Sequence, residues 1–127
     1  MKPSSTLLDP DGPGICPLAA AGSAVSHGIV SQAVLTAPGL RVTWFRFAAG
    51  QELSEHVTPA RALVQVVAGE GEFTFAGRTA KLRAGELLHL PPGMPHAVSA
   101  TREMTVLLTQ VFPAAAGNKG ATRPRPP

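Results

Sequence analysis

Histidine is the side chain best suited to acid–base or metal chemistry near neutral pH, and this 127-residue chain has four of them. His96 closes the stretch Gly85–His96, which reads GELLHLPPGMPH. A glycine turn leads into a short apolar run, a Pro-Pro-Gly corner follows, and the histidine comes next. Two prolines hold φ and the glycine permits a sharp bend, so the corner aims His96 in a definite direction. His56 stands in QELSEHV, the other stretch with ligand-like chemistry. The remaining two histidines carry less. His89 alternates with Leu88 and Leu90, which places it on the outer face or in a dimer contact, and His27 precedes the first strand and is expected to be exposed. The single cysteine, Cys16, excludes an internal disulfide. It has no helix start or basic neighbour to activate it as a nucleophile.

No carboxylate is well placed to join His56. Glu52 shares its strand parity but lies four residues away, about 13 Å along a strand. Glu55 is adjacent and points to the opposite face, and both glutamates are expected to be solvated. Gln65 and Gln110 sit in apolar strands, where a buried amide must find hydrogen-bond partners. Each therefore either bonds across a sheet or dimer contact, or lines a pocket.

The elements that must position these residues are all strands. Gly and Pro number 13 each, which suits many short strands joined by turns. Strands are predicted over 27–36, 40–49, 51–57, 62–68, 72–76, 79–83, 86–90, 96–99 and 102–112, with no amphipathic helix and no internal repeat. In the second of these, alternation groups Thr43, Phe45 and Phe47 on the core face and Val42, Trp44 and Arg46 on the other, with Arg46 expected at the surface. The run ALVQVVA (62–68) is nearly continuous apolar, as for a strand buried on both sides. Short strands at this spacing argue for an all-β sandwich or barrel. One domain is expected over 27–112, preceded by an irregular arm (1–26) and followed by a disordered, basic, proline-rich tail (113–127).

Charge and hydropathy narrow the partners. Lys119, Arg123 and Arg125 account for the whole net charge of +3. The body is neutral, and three tail charges do not make a nucleic-acid interface. No apolar run approaches the length of a membrane span, the N-terminus lacks a signal-type apolar core, and a lone cysteine fits a reducing compartment. The expectation is a cytoplasmic protein.

The order of residues also resembles a known family. Gly50, His56, Thr58, Ala62 and Gly69 fall on the frame of the first cupin motif, which reads glycine, five residues, His-x-His, three or four residues, glutamate, six residues, glycine. Gly85, Pro91, Gly93, His96 and Ala100 fall on the second, which reads glycine, five residues, Pro-x-Gly, two residues, histidine, three residues, asparagine. The chain is identified as a member of the small single-domain, RmlC-like cupins with a degenerate first motif. The resemblance implies a jelly-roll β-barrel, or double-stranded β-helix, usually a homodimer. It also implies a divalent transition metal (Zn, Mn, Fe or Ni) on His56 and His96, but here Thr58 and Ala62 stand where the family places its second histidine and its glutamate. Two imidazoles alone hold such an ion weakly, because iron sites want an added carboxylate and catalytic zinc wants three protein ligands.

Two functions follow from these residues. One is a binding module whose barrel mouth takes a small, mostly apolar molecule, with His56, Thr58 and His96 orienting its polar end and Gln65 and Gln110 as further pocket candidates. The other is a metal-dependent enzyme of dioxygenase, isomerase or decarboxylase type. Replacing the family's glutamate by alanine leaves a larger and less charged pocket, which favours the first.

Overall fold

The computed structural model describes residues 6–18 and 27–114. Among them are nine strands and no helix: β1 (Ile29–Ala37), β2 (Leu40–Phe47), β3 (Glu52–His56), β4 (Arg61–Ala68), β5 (Glu70–Phe75), β6 (Arg78–Arg83), β7 (Leu87–Leu90), β8 (His96–Ala100) and β9 (Met104–Val111). They form a five-stranded sheet in the order β1-β2-β9-β4-β7 and a four-stranded sheet in the order β3-β8-β5-β6. Strand pairing is antiparallel throughout. The two inner faces meet in one core, the all-β barrel expected from the strand pattern in the jelly-roll form that the family resemblance implies.

Alternation decides which residues fill that core. Phe47, Met104 and Val106 come from the middle of the large sheet, with Ala62, Val64, Val66 and Leu90 beside them. Phe73, Leu82, Val98 and Ala100 face them from the small sheet. Glycine allows the tightest approach. A Cβ on Gly69, which has φ +78°, would overlap the Glu103 carbonyl oxygen, so β5 can enter beside the start of β9 only without a side chain.

Two expectations about burial are corrected. Strand β4 is buried on one face only. Ala62, Val64 and Val66 point inward, while Leu63 is 37% exposed and Gln65 is exposed. Among the described residues its outer face is largely exposed, so the apolar run hides an ordinary alternation. Arg46 is buried, at 8% exposure. It lies on the outer face of the large sheet opposite Thr105, which is also buried. Its guanidinium sits 5.4 Å from the Trp44 ring centroid, with Nη1 3.8 Å from a Glu103 carboxylate oxygen. A cation on an aromatic face with a carboxylate at hand can be sheltered where a bare charge could not.

The described part of the arm runs along the same sheet. The N–H groups of Leu7 and Leu8 donate to the carbonyls of Ala33 and Val34, at the irregularity in β1, and the Trp44 indole N–H donates to the Leu18 carbonyl. The parts of the expected arm at 1–5 and 19–26, and most of the expected tail, 115–127, lie outside the described residues.

The turn joining β5 to β6 offers a clean test of the local physics. Ala76 and Gly77 are its two central residues, with φ of +51° and +74°, the positive values that a type I′ hairpin demands. Alanine incurs roughly 1 kcal/mol in the left-handed region. Ala76→Asn is expected to stabilise the protein by about 0.5–1 kcal/mol in denaturant unfolding, because Asn-Gly is the favoured pair at this turn. Gly69→Ala is expected to lower stability by more than about 2 kcal/mol in the same assay.

Candidate functional site

His56 ends β3 and His96 begins β8, and the antiparallel register makes them direct partners. Their ring centroids lie 4.3 Å apart with the planes at 62°. The approach depends on an irregularity in β3. Between Leu53 and His56 the register against β8 shifts, so Leu53 and His56 both reach the interior although their spacing is odd. Strict alternation instead groups His56 with Glu52 and Ser54. The shift leaves Glu52 exposed opposite Ser99, and Glu55 borders a separate cleft beside the β5–β6 turn.

The Pro-Pro-Gly corner sets the other ring. Gly93 has φ +79° and donates its N–H to the Thr58 carbonyl at 2.9 Å, while the Met94 N–H turns back to Pro91 O. The two motif loops are thus tied together on the side of the barrel where the imidazoles meet.

Each imidazole is then held by its own strand. His56 Nδ1 lies 3.0 Å from the Ser54 carbonyl oxygen, and His96 Nδ1 lies 2.9 Å from that of Met94. A carbonyl can only accept, so in both rings Nδ1 carries the hydrogen and donates it. In the neutral ring Nε2 is then a bare acceptor. Among the described residues neither Nε2 has a hydrogen-bond partner.

Both rings line a cavity of about 100 Å³ between the sheets. The rest of its wall is apolar: Phe45, Phe47 and Phe73, with leucines and valines from β3, β4, β7, β8 and β9. His56 is exposed and His96 half-buried, so this end of the cavity reaches solvent. A larger cleft of about 510 Å³ lies by the β1–β2 turn, where Arg41 stacks on Phe112. Its lining holds no histidine and no carboxylate, and the interior cavity is therefore the candidate site.

The other expected site residues fall elsewhere. Thr58 is not in the cavity wall, and its hydroxyl oxygen accepts from the Ala60 N–H at 3.2 Å, closing a local turn. Gln65 is exposed on the outer face opposite Leu87 and Leu107, so it does not reach the cavity. Gln110 pairs with Ala62 and Arg41, on the inner row one step beyond the cavity residue Leu108, and is half-buried there. His89 faces outward, where its Nε2 accepts from Arg61 Nη1 at 2.9 Å. Leu53 and Leu108 in the wall were not singled out by sequence reasoning. Alternation from Val106 finds Leu108, but the shift in β3 leaves no compositional mark for Leu53.

The residues present do not make the family's metal centre. Among the described residues no group of three or more His, Cys, Asp or Glu side chains could hold an ion. Ala62, in the family's glutamate position, is a buried core residue, and the Thr58 hydroxyl serves its turn.

Comparison with known proteins agrees with the barrel and its two motifs. The cupin domain family matches residues 43–112, more than half of the chain. The chain belongs to the cupin family. Similar solved structures include a conserved Streptococcus pyogenes protein of unknown function, at 26% identity and TM-score 0.75, covering 88% of this chain and 98% of that one. A cupin superfamily protein of Desulfitobacterium hafniense is 23% identical, also with TM-score 0.75, covering 87% and 99%. A salicylate 1,2-dioxygenase from Pseudoaminobacter salicylatoxidans, in complex with gentisate, is 22% identical with TM-score 0.63, covering 66% of this chain and 25% of that one. Identity at that level shows the shared fold. No curated protein matches the chain. No helix among the described residues is long and apolar enough to cross a membrane.

The tautomers are directly measurable. At about pH 8.5, above the ordinary histidine range, ¹⁵N NMR is expected to show His56 and His96 both protonated at Nδ1. A ring protonated at Nε2 would contradict the two carbonyl bonds.

Proposed function

We propose that this cupin binds a small, mostly apolar molecule between its sheets, with His56 and His96 meeting the molecule's polar end. The observation that carries the reading is a wall in which two imidazoles are the only polar side chains among phenylalanine, leucine and valine. Pockets that bind small molecules are built this way, with an apolar surface for affinity and a few polar atoms for orientation. An apolar lining also makes ligand entry favourable, because burying carbon surface contributes roughly 25 cal/mol per Å².

The donor set supports a binding role over a metal-dependent reaction. A two-imidazole pair lacks the carboxylate or third ligand that iron or zinc catalysis uses, so a divalent ion would be held weakly and no reaction step is assigned to one.

Two measurements test the reading. Protein purified without a nickel column and treated with chelator is expected to bind toluene, with methyl NMR shifts confined to residues such as Val64, Leu90, Val106 and Leu108. Absence of those shifts would overturn the proposal. Metal analysis of untreated protein is expected to give far less than one ion per chain, and stoichiometric metal lost in both His56→Ala and His96→Ala would favour the enzyme instead.

A further inference from the structure

We infer that this site selects its ligand by hydrogen-bond polarity: the two imidazoles present acceptors only, so the molecule they take is a small neutral hydrogen-bond donor, such as a phenol or a short alcohol, and not a carboxylate. The inference rests on the binding role proposed above and adds the chemical class of the ligand.

The argument begins with the two bonds to backbone. Ser54 and Met94 carbonyls occupy the Nδ1–H groups of His56 and His96. Each neutral ring has one donor and one acceptor, and the donor is used up within its own strand. What remains toward a ligand is Nε2 with a lone pair, twice. The two rings stand 4.3 Å apart, so both acceptors belong to one small site. Every other side chain in the wall is hydrocarbon. The Thr58 hydroxyl, which could otherwise have offered a donor, lies outside that wall and serves the Ala60 turn.

Such a site treats three ligand types differently. A hydroxyl or N–H can donate to Nε2 and place its carbon body among Phe45, Phe73 and Leu90. A hydrocarbon of the same shape fills the same space but leaves the lone pairs without a donor. A carboxylate or an ether presents only acceptors, which face the imidazole lone pairs and are repelled. The carboxylate also loses hydration with no cation to compensate it, because no Arg or Lys lines the cavity. Size sets a further limit. An apolar cavity of about 150 Å³ is enough to hold benzene, and this one is about 100 Å³ with its histidine end open to solvent. The enclosed space is smaller than the one that holds benzene, so a single six-membered ring enters only with its polar end in the open histidine mouth.

The test compares phenol with toluene, which has nearly the same shape, in chelator-treated protein at about pH 8.5. The readout is the ratio of their affinities in wild type, His56→Leu and His96→Leu, which cancels the difference in ligand hydration. A neutral hydrogen bond predicts that the phenol preference falls roughly three- to tenfold in at least one variant. Phenol is also expected to shift the ¹⁵N resonance of a wild-type Nε2, a measurement that needs no variant to fold. Benzoate is expected to bind more weakly than phenol. An unchanged phenol-to-toluene ratio with no Nε2 shift, or benzoate bound as tightly as phenol, would overturn the donor selectivity while leaving the binding role standing. Failure of both phenol and toluene to bind would overturn the binding role itself, and the selectivity with it.

Discussion

The pairing of β3 with β8 is the constraint on which the site depends. Five residues of β3, all exposed, have little burial to hold them in place. Their register against β8 sets His56 opposite His96. The loops beyond the two strands reinforce that register, because the Gly93 N–H bonds the Thr58 carbonyl and so joins the chain after one histidine to the corner before the other. At the far end of β8 the Gly50 N–H donates to the Ala100 carbonyl, and the Ala100 N–H donates to Gln51. An edge strand pinned at both ends can afford an irregularity in its middle. That irregularity is what lets Leu53 and His56 share the cavity.

The chemistry of the site follows from what the two strands do to the rings. Each supplies a carbonyl that fixes Nδ1 as the donor and leaves Nε2 as the outward acceptor. In metal proteins a bond of the same kind orients a ligating imidazole. What is missing is the rest of the donor set. With Ala62 in the core and Thr58 in a turn, the two rings line an otherwise apolar cavity without the remaining ligands of a metal centre. A hydrogen-bond donor is the simplest chemistry that such a pair can recognise.

Much of this was legible in the sequence. The glycine and proline punctuation, with alternating apolar residues, specified short strands and an all-β barrel, and two spaced motifs pointed to His56 and His96. The departure from the family's ligand pattern was legible in the same frame, because Thr58 and Ala62 stand where the motif has histidine and glutamate. Three features were not legible. The shift in β3 has no glycine or proline to mark it, so Glu52 and Ser54 were grouped with His56. The run ALVQVVA concealed which face of β4 is open, although Gln65 itself marks the outer side. Arg46 reads as a surface charge by strand parity, because its shelter joins the Trp44 ring of its own strand to Glu103, which only the fold brings near. Burial of a charge is a property of the assembled fold, and strand parity alone does not reveal it.

The central claim is that the imidazole pair accepts a hydrogen bond from a ligand lying in the cavity. The most direct measurement is a crystal structure of the chelator-treated protein with phenol. The account predicts the ring among Phe45, Phe73 and Leu90, with the hydroxyl oxygen at hydrogen-bond distance, about 2.7–3.2 Å, from Nε2 of His56 or His96. Phenol bound with its oxygen turned away from both histidines would contradict it.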